Sequence, residues 1–337
     1  MTLSVRTILP VLLLATVACL PVIAPWSQVV LTLVIAKGLA VLGIVVLLHA
    51  GQVSFGHALF FGVAAYGAAF LGKWLGGGEL LLMLLFSTLA SLVIGLVAGL
   101  FVVRYRYIFF GMLNLALSMI LYTLLEKFYH ITGGDDGMQL TRPTVLGIEM
   151  EREPFETLLC YGGFALAILV AFAVHRFLES PIGHMVKTIK TNETRLEYLG
   201  VSARRTLLVG YVVSAGLCGL GGAIMAVAQG VVTPEYTYWI RSGELVFIAI
   251  LGGAGSVAGA FVGALVYEMV RNYAAAFAAD IWQMVLGFVL LAIILYASRG
   301  LVGLYDRFLN LLEHGSGKQN KRAATKTASN AEMGAAE

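Results

Sequence analysis

The chain has 337 residues, of which 59% are hydrophobic and only 12% charged, and its formal net charge is +3. Soluble domains carry about 25% charged residues, so this composition excludes an ordinary soluble enzyme and indicates a polytopic membrane protein. The small positive balance reads as asymmetry between loops, not as a surface for nucleic acid.

Apolar runs of about 20 residues, the length that crosses a bilayer, are expected as spans. They fall near 8–24, 28–48, 58–73, 79–103, 109–128, 157–178, 206–229 and 281–297. The first follows Arg6 and has the outline of a leader peptide, with a lipid-attachment reading at Cys19 weakened by Thr16, where a larger aliphatic residue is usual. Because further spans follow at once, it is expected to stay as a span. Cys19, Cys160 and Cys218 all lie in apolar segments, with no metal or disulfide spacing, and read as small buried hydrophobes.

Lys37 sits near the middle of the second run. A central charge costs roughly 3 kcal/mol on insertion scales, so Lys37 is expected to face protein or water. It could meet a substrate carboxylate, pair with an acid such as Glu268, or snorkel if the span is shifted. The same run ends in His49-Ala50-Gly51-Gln52-Val53-Ser54-Phe55-Gly56-His57 before a small-residue helix resumes. Gln52, Ser54 and His57 in this break either line a pathway or satisfy freed backbone groups.

Orientation follows from charge. The segment 126–156 holds Glu126, Asp135, Asp136, Glu149, Glu151, Glu153 and Glu156 against only Lys127, Arg142 and Arg152, and is expected outside. The segment 176–205 holds Arg176, Lys187, Lys190, Arg195, Arg204 and Arg205, and is expected in the cytoplasm with Arg104 and Arg106. Within it, Asn192 can cap a helix, Glu193, Arg195 and Glu197 give a polar face, Leu196, Leu199 and Val201 an apolar edge, and Gly200 a stop. A short amphipathic helix of this kind suits docking in a partner's groove, although a solvated loop helix is the commoner fate of such a segment.

The stretch 244–271 is apolar but interrupted by Gly252, Gly253, Gly255 and Ser256. As one straight span it would put the basic tail outside. A break at Gly252–Ser256, entering and returning on one side, restores agreement, and irregular backbone at membrane depth implies a cavity-lining element. Two interrupted apolar segments, one in each half, point to a transporter with an internal repeat. The expected fold is therefore all-α and polytopic, with roughly 8–10 transmembrane helices including broken or re-entrant segments. Residues 1–312 form the membrane domain, and the polar, low-complexity tail 313–337 is expected to be disordered.

Four stretches, in order, carry a resemblance. These are GQVSFGHALFFGVAAYGA from Gly51, TGGDDGM from Thr132, NETRLEYLG from Asn192 followed by a basic turn and LLVGYVVSAGLCGLGGAIMA, and ILGGAGSVAGAFVGA from Ile250. Together they make the chain similar to permease subunits of the branched-chain amino acid type of ABC importer, over roughly residues 28–300. The resemblance implies a permease in the bacterial inner membrane, and the charge pattern, with Lys318, Lys321, Arg322 and Lys326 in the tail, puts both termini in the cytoplasm. It would form a pathway for a branched-chain or other hydrophobic amino acid, or for urea, short amides or aromatic carboxylates. It also implies a second permease subunit, related or a copy, two ATP-binding subunits and a periplasmic substrate-binding protein. Asn192, Glu193, Glu197, Leu199 and Gly200 would couple to the ATPase. Lys37, Gln52, Ser54, His57, Gly252, Gly253, Gly255 and Ser256 are candidates for the pathway. The turn at 132–138 would help dock the binding protein. Departures are His49 for the more usual Tyr, Leu48 for Gly, and Leu196 and Tyr198 for small residues.

No G-x-x-x-x-G-K-[ST] motif occurs, so ATP and Mg would be bound by partner chains, with no cofactor, metal or catalytic residue expected in this one. Two other classes compete. Ser54 with His57 suggests an intramembrane hydrolase, but Gln52 stands where G-x-S-x-G needs its first Gly, and H-E-x-x-H is absent. An autonomous channel or ion-coupled carrier is opposed by the scarcity of intramembrane acids.

Overall fold

A computed structural model describes residues 26–74 and 78–277, with isolated positions at 21 and 24 and between 284 and 304. The predicted spans 8–24 and 281–297 and the tail from 313 lie wholly or largely outside these residues. The described elements are α1 (Ser27–His49), α2 (Ala58–Trp74), α3 (Leu80–Val102), α4 (Tyr107–Lys127) and the single turn α5 (Tyr129–Thr132). They continue with β1 (Met138–Gln139), α6 (Arg152–Glu179), α7 (Pro181–Thr191), α8 (Glu193–Tyr198), α9 (Ala203–Gln229), β2 (Val231–Val232), α10 (Trp239–Gly252) and α11 (Val257–Phe277). Among the described residues α1, α3, α4, α6 and α9 are each long and apolar enough to cross a membrane, and α10 and α11 form one pair bent by 114°. The protein is an all-α, multi-pass membrane protein.

α1 and α9 are the axis of the bundle. The most apolar window of α1 is 83% buried and that of α9 67%, against 28% in α3, α4 and α6, which therefore ring the central pair. α1 and α9 run antiparallel: Ala36 and Ala40 meet Gly221, Gly43 meets Ser214, and Val46 meets Gly210. Between apolar helices in lipid there is no hydrophobic drive to associate, so close packing through small residues takes its place. Among the α9 glycines the tightest approach is to α2. A Cβ built at Gly222 would lie 2.1 Å from the carbonyl oxygen of Phe61 in α2.

α2 is not a full span. It has 17 residues and starts level with the middle of α9, where His57 touches Ser214 and the Cys218 thiol lies 3.2 Å from the His57 carbonyl. The chain reaches that depth through the irregular segment 50–57, after α1 ends at Ala50 and Gly51 turns through the left-handed region (φ 73°). The second half repeats the plan in the opposite direction. α9 ends on Gly230 (φ 70°), an irregular segment 231–238 follows, and α10 starts with Ser242 accepting a 2.8 Å hydrogen bond from the Ala58 amide at the start of α2. Long helix, break and short helix thus occur twice with inverted direction, the arrangement of transporter repeats. The counterpart of the first break is 231–238. The glycine interruption at 252–256 is a separate bend between α10 and α11.

The two ends of the bundle differ in charge. Arg106, between α3 and α4, binds Glu193 at the start of α8, and Lys190 of α7 packs on Gly51. The segments 104–106 and 176–205 therefore share one basic end. At the other end Glu79 bridges to Thr144, β1 pairs antiparallel with β2 (Met138 with Val232), and the acidic segment 126–156 gathers there.

The Gly222 contact gives a stability test. Gly222→Ala forces α2 from α9 and should lower the thermal midpoint in detergent, since overpacking costs about 1–3 kcal/mol. Gly162→Ala on α6, where no described residue lies within 4 Å of the added carbon, should leave the midpoint unchanged or raise it, helix propensity adding up to about 1 kcal/mol of stability. Equal midpoints for the two variants would contradict the α2–α9 packing.

Candidate functional site

The residues singled out for a pathway fall in three places. The first is the break 50–57. Gly43, Ser214 and Ser54 are bound in sequence through His57. The Ser214 hydroxyl donates to the Gly43 carbonyl at 2.6 Å, and a carbonyl only accepts. Ser214 therefore accepts from His57 Nε2–H at 2.6 Å, which leaves Nδ1 of the neutral ring to accept from the Ser54 hydroxyl at 2.7 Å. Ser54 Oγ in turn takes the Gly56 amide at 3.4 Å. The ring is further enclosed by Phe60 and Tyr211, both edge-on. This chain ties the break to both central helices and satisfies its polar groups within the protein. Ser54 and His57 are 1% and 0% exposed; a peptide cannot reach the hydroxyl, and a hydrolase reading loses its geometry. Gln52 lies lower, its Oε1 accepting from the Tyr107 amide at 2.8 Å.

The second place surrounds Lys37, which is 1% exposed and so does not snorkel. Its Nζ pairs with both Glu244 of α10 and Glu268 of α11 and stands 4.7 Å from the centre of the Tyr267 ring. Glu244 also receives Arg241 at 2.7 Å, and Arg271 stands 3.9 Å from Glu268. Of the options the sequence leaves open, pairing with Glu268 is the one seen. Sequence reasoning missed Arg241, Glu244, Tyr267 and Arg271. Their signal was the i, i+3 spacing of charges at 241/244 and 268/271 inside apolar stretches, which puts each pair on one helix face. The cluster ties α1 to both arms of the bent pair.

The third place is the bend itself. α10 ends at Gly252, Gly253 takes φ 116° and ψ 106°, and Ser256 Oγ accepts from the Gly259 amide at 3.2 Å, opening α11. A Cβ on Gly252 would lie 1.8 Å from the Gly259 carbonyl oxygen, so the two arms touch backbone to backbone; among the described residues none comes within 4 Å of a Cβ on Gly255.

The expected coupling segment forms two short helices at the basic end. Ser180 caps α7 through the Gly183 amide (3.2 Å), and Asn192 caps α8 by accepting from the Arg195 amide at 2.9 Å. Glu193 forms a two-bond pair with Arg106, at 3.0 Å to Nε and 2.6 Å to Nη2. Leu196 is buried at 3%, whereas Tyr198 and Leu199 are 88% and 74% exposed. The apolar edge predicted from Leu196 and Leu199 is therefore split: one residue anchors the helix and the other points away. Glu197 is exposed, and Gly200, at φ 79°, turns the chain toward α9.

At the acidic end the 132–138 turn uses left-handed Gly133, Gly134 and Gly137. The Tyr129 hydroxyl donates to Asp136 at 2.5 Å, and that bond with the carboxylate charge raises the Tyr129 pKa above its ordinary value. Tyr129, His130 and Lys73 line a shallow open pocket there.

Comparison with known proteins yields one family profile, described as a branched-chain amino acid transport system permease component, matching residues 28–294. The high-affinity branched-chain amino acid transport system permease protein LivM of Escherichia coli (strain K12) is 27% identical over 243 residues, covering 66% of this chain and 57% of that protein. The permease protein LivH of Salmonella typhimurium (strain LT2) is 27% identical over 131 residues, or 39% of this chain and 42% of that protein. The nucleoside ABC transporter permease protein NupB of Lactococcus lactis is 38% identical over 60 residues, 18% of this chain and 16% of that protein. The chain spans about half the length of the curated relatives it matches. No solved structure gives a significant match.

The Lys37 cluster makes a prediction. Lys37→Met removes the cation shared by two carboxylates, and breaking a buried pair from one side costs about 3–5 kcal/mol. The expected result is a sharp fall in folded, membrane-inserted protein and in its thermal midpoint, partly recovered in Lys37→Met with Glu268→Gln. A Lys37→Met chain as stable as the parent would show that the pairs do not form.

Proposed function

Because the chain belongs to the branched-chain amino acid transport system permease family, we propose that it is a membrane-spanning subunit of an ATP-driven importer. It forms, with a second permease subunit, the pathway for a small solute. The family supports a branched-chain or other hydrophobic amino acid as that solute, handed over by a periplasmic binding protein at the acidic end, where the 132–138 turn lies. The energy comes from two ATP-hydrolysing subunits, in line with a sequence that has no phosphate-binding loop. By the excess of Lys and Arg at the basic end, that end faces the cytoplasm of a bacterial inner membrane.

One observation carries this reading. At the end of the bundle that holds the basic residues, α8 presents Tyr198 and Leu199 outward while Leu196 is buried beneath them. Large apolar side chains held out beyond the membrane body, on a capped helix rimmed by Glu197 and Arg195, suit insertion into a groove on a partner. In this role Asn192 and Gly200 shape the helix ends, Glu193 ties it to the membrane body, and Glu197 and Leu199 meet the ATPase. Lys37, Gln52, Ser54 and His57, with Gly252, Gly253, Gly255 and Ser256, are assigned to the moving parts of the pathway: two breaks that permit a change of shape and the polar groups that hold them.

The test is a chain carrying Tyr198→Ser and Leu199→Ser. It should insert and fold as the parent does, since both side chains are exposed. It should fail to co-purify with ATP-hydrolysing subunits and lose solute uptake by about tenfold or more, the loss expected when two interface anchors are removed. Parental uptake by this variant, or uptake by the purified chain without any ATPase, would overturn the proposal.

A further inference from the structure

The basic end holds a continuous set of contacts that leads from α8 into the membrane. Arg106 lies in the turn between α3 and α4. Its guanidinium grips both oxygens of Glu193 and, on its other side, the carbonyls of Val103 and Tyr105. Every part of the fork is used, so the turn and the first residue of α8 are held as one piece. The next residue, Tyr107, sits in the left-handed region at φ 54°, uncommon for an aromatic side chain. That conformation directs its amide to Gln52 Oε1 at 2.8 Å, and Gln52 is 2% exposed. From there α4 stays against the break. Gly111 faces the Val53 carbonyl, and Gly56 lies so close to the Asn114 carbonyl that a Cβ would stand 1.9 Å from it. Asn114 Oδ1 accepts from Tyr211 of α9 at 2.5 Å. Lys190 of α7 packs on Gly51 at the start of the same break.

We propose that Arg106 is the positioning residue of the coupling step. It locks α8 to the α3–α4 turn, so that a displacement of α8 is delivered through Tyr107 and Gln52 to the broken segment 50–57. The inference rests on the proposed function, in which a partner moves α8, and adds the route by which that motion enters the membrane. An ordinary exposed ion pair would not serve, because one that gains and loses little on breaking transmits little. This pair is two-bonded, is partly buried, with Arg106 18% and Glu193 35% exposed, and is braced on backbone carbonyls.

The experiment uses the assembled transporter in proteoliposomes and reads the number of solute molecules moved per ATP hydrolysed. Arg106→Gln and Glu193→Gln should each lower that ratio by about tenfold, within the usual range of coupling between sites, with ATP hydrolysis and assembly little changed. The double variant should be no worse than either single, because both remove the same link. Gln52→Leu, which removes the acceptor inside the membrane, should lower the ratio in the same way. If Arg106→Gln does not assemble, Arg106→Lys, which keeps the charge and gives up the fork, carries the test and should give a lowered ratio. A parental ratio in the single variants, or losses that add in the double, would overturn the relay. If the parent chain itself shows no ATP-driven uptake, the proposed function falls first, a result that these variants cannot produce.

Discussion

Every polar backbone group inside a bilayer must find its partner within the protein, and this constraint governs the fold around residues 50–57. A helix interrupted at membrane depth exposes amides and carbonyls that lipid cannot satisfy. Here the repair is a buried histidine. His57 accepts a hydrogen bond from Ser54 and donates one to Ser214, which in turn donates to the Gly43 carbonyl. One ring thereby fastens the break to both axial helices. The start of α2 is fixed by the same means, its first amide resting on Ser242 of the opposite repeat. The break is thus a built feature, held by hydrogen bonds that reach three other elements, α1, α9 and α10, and not a loosely packed stretch of a longer helix.

The two repeats meet at that point and part company beyond it. In the first, the short helix α2 runs on beside α9 through close-packed small residues. In the second, α10 turns back through Gly253 into α11, and the charged cluster at Lys37 ties both arms to α1. Charge inside a membrane domain is expensive, so a cluster of this size must either fix a geometry or take part in the work. The cluster holds the bent pair and the His57 chain holds the 50–57 break, so each discontinuity has its own set of bonds. A permease that changes shape needs hinges of this kind, each with a small set of bonds that can be exchanged.

Much of this was legible in the residues. The spans at α1, α3, α4, α6 and α9 follow from length and hydropathy, and the bend at 252–256 from its glycines, since both are local properties. Depth is not local. α2 reads as a full span because hydropathy records how apolar a run is and not where it begins; only its contact with the middle of α9 shows that it is a half-helix. The second break, 231–238, contains Pro234, Glu235 and four aromatic or hydroxyl residues and reads as an ordinary loop. Its kinship with 50–57 appears only when the first turn of α10, at Ser242, is seen to meet the start of α2 at Ala58. Lys37 stood out by its cost, yet Glu244 and its partners could not be matched to it without the packing of α10 against α1. In α8 the periodicity grouped Leu196 with Leu199. The helix is too short for a periodic face to mean much, and the left-handed turn at Gly200 carries Leu199 outward.

The account stands on the basic end being the one that a cytoplasmic partner holds. The most direct measurement is the labelling of a Tyr198→Cys chain with a membrane-impermeant maleimide, in intact cells and in inside-out vesicles. The account predicts no labelling at this position from outside the cell, ready labelling in vesicles stripped of ATP-hydrolysing subunits, and protection when those subunits are present. Labelling in intact cells, or labelling in vesicles that the subunits leave unchanged, would contradict it.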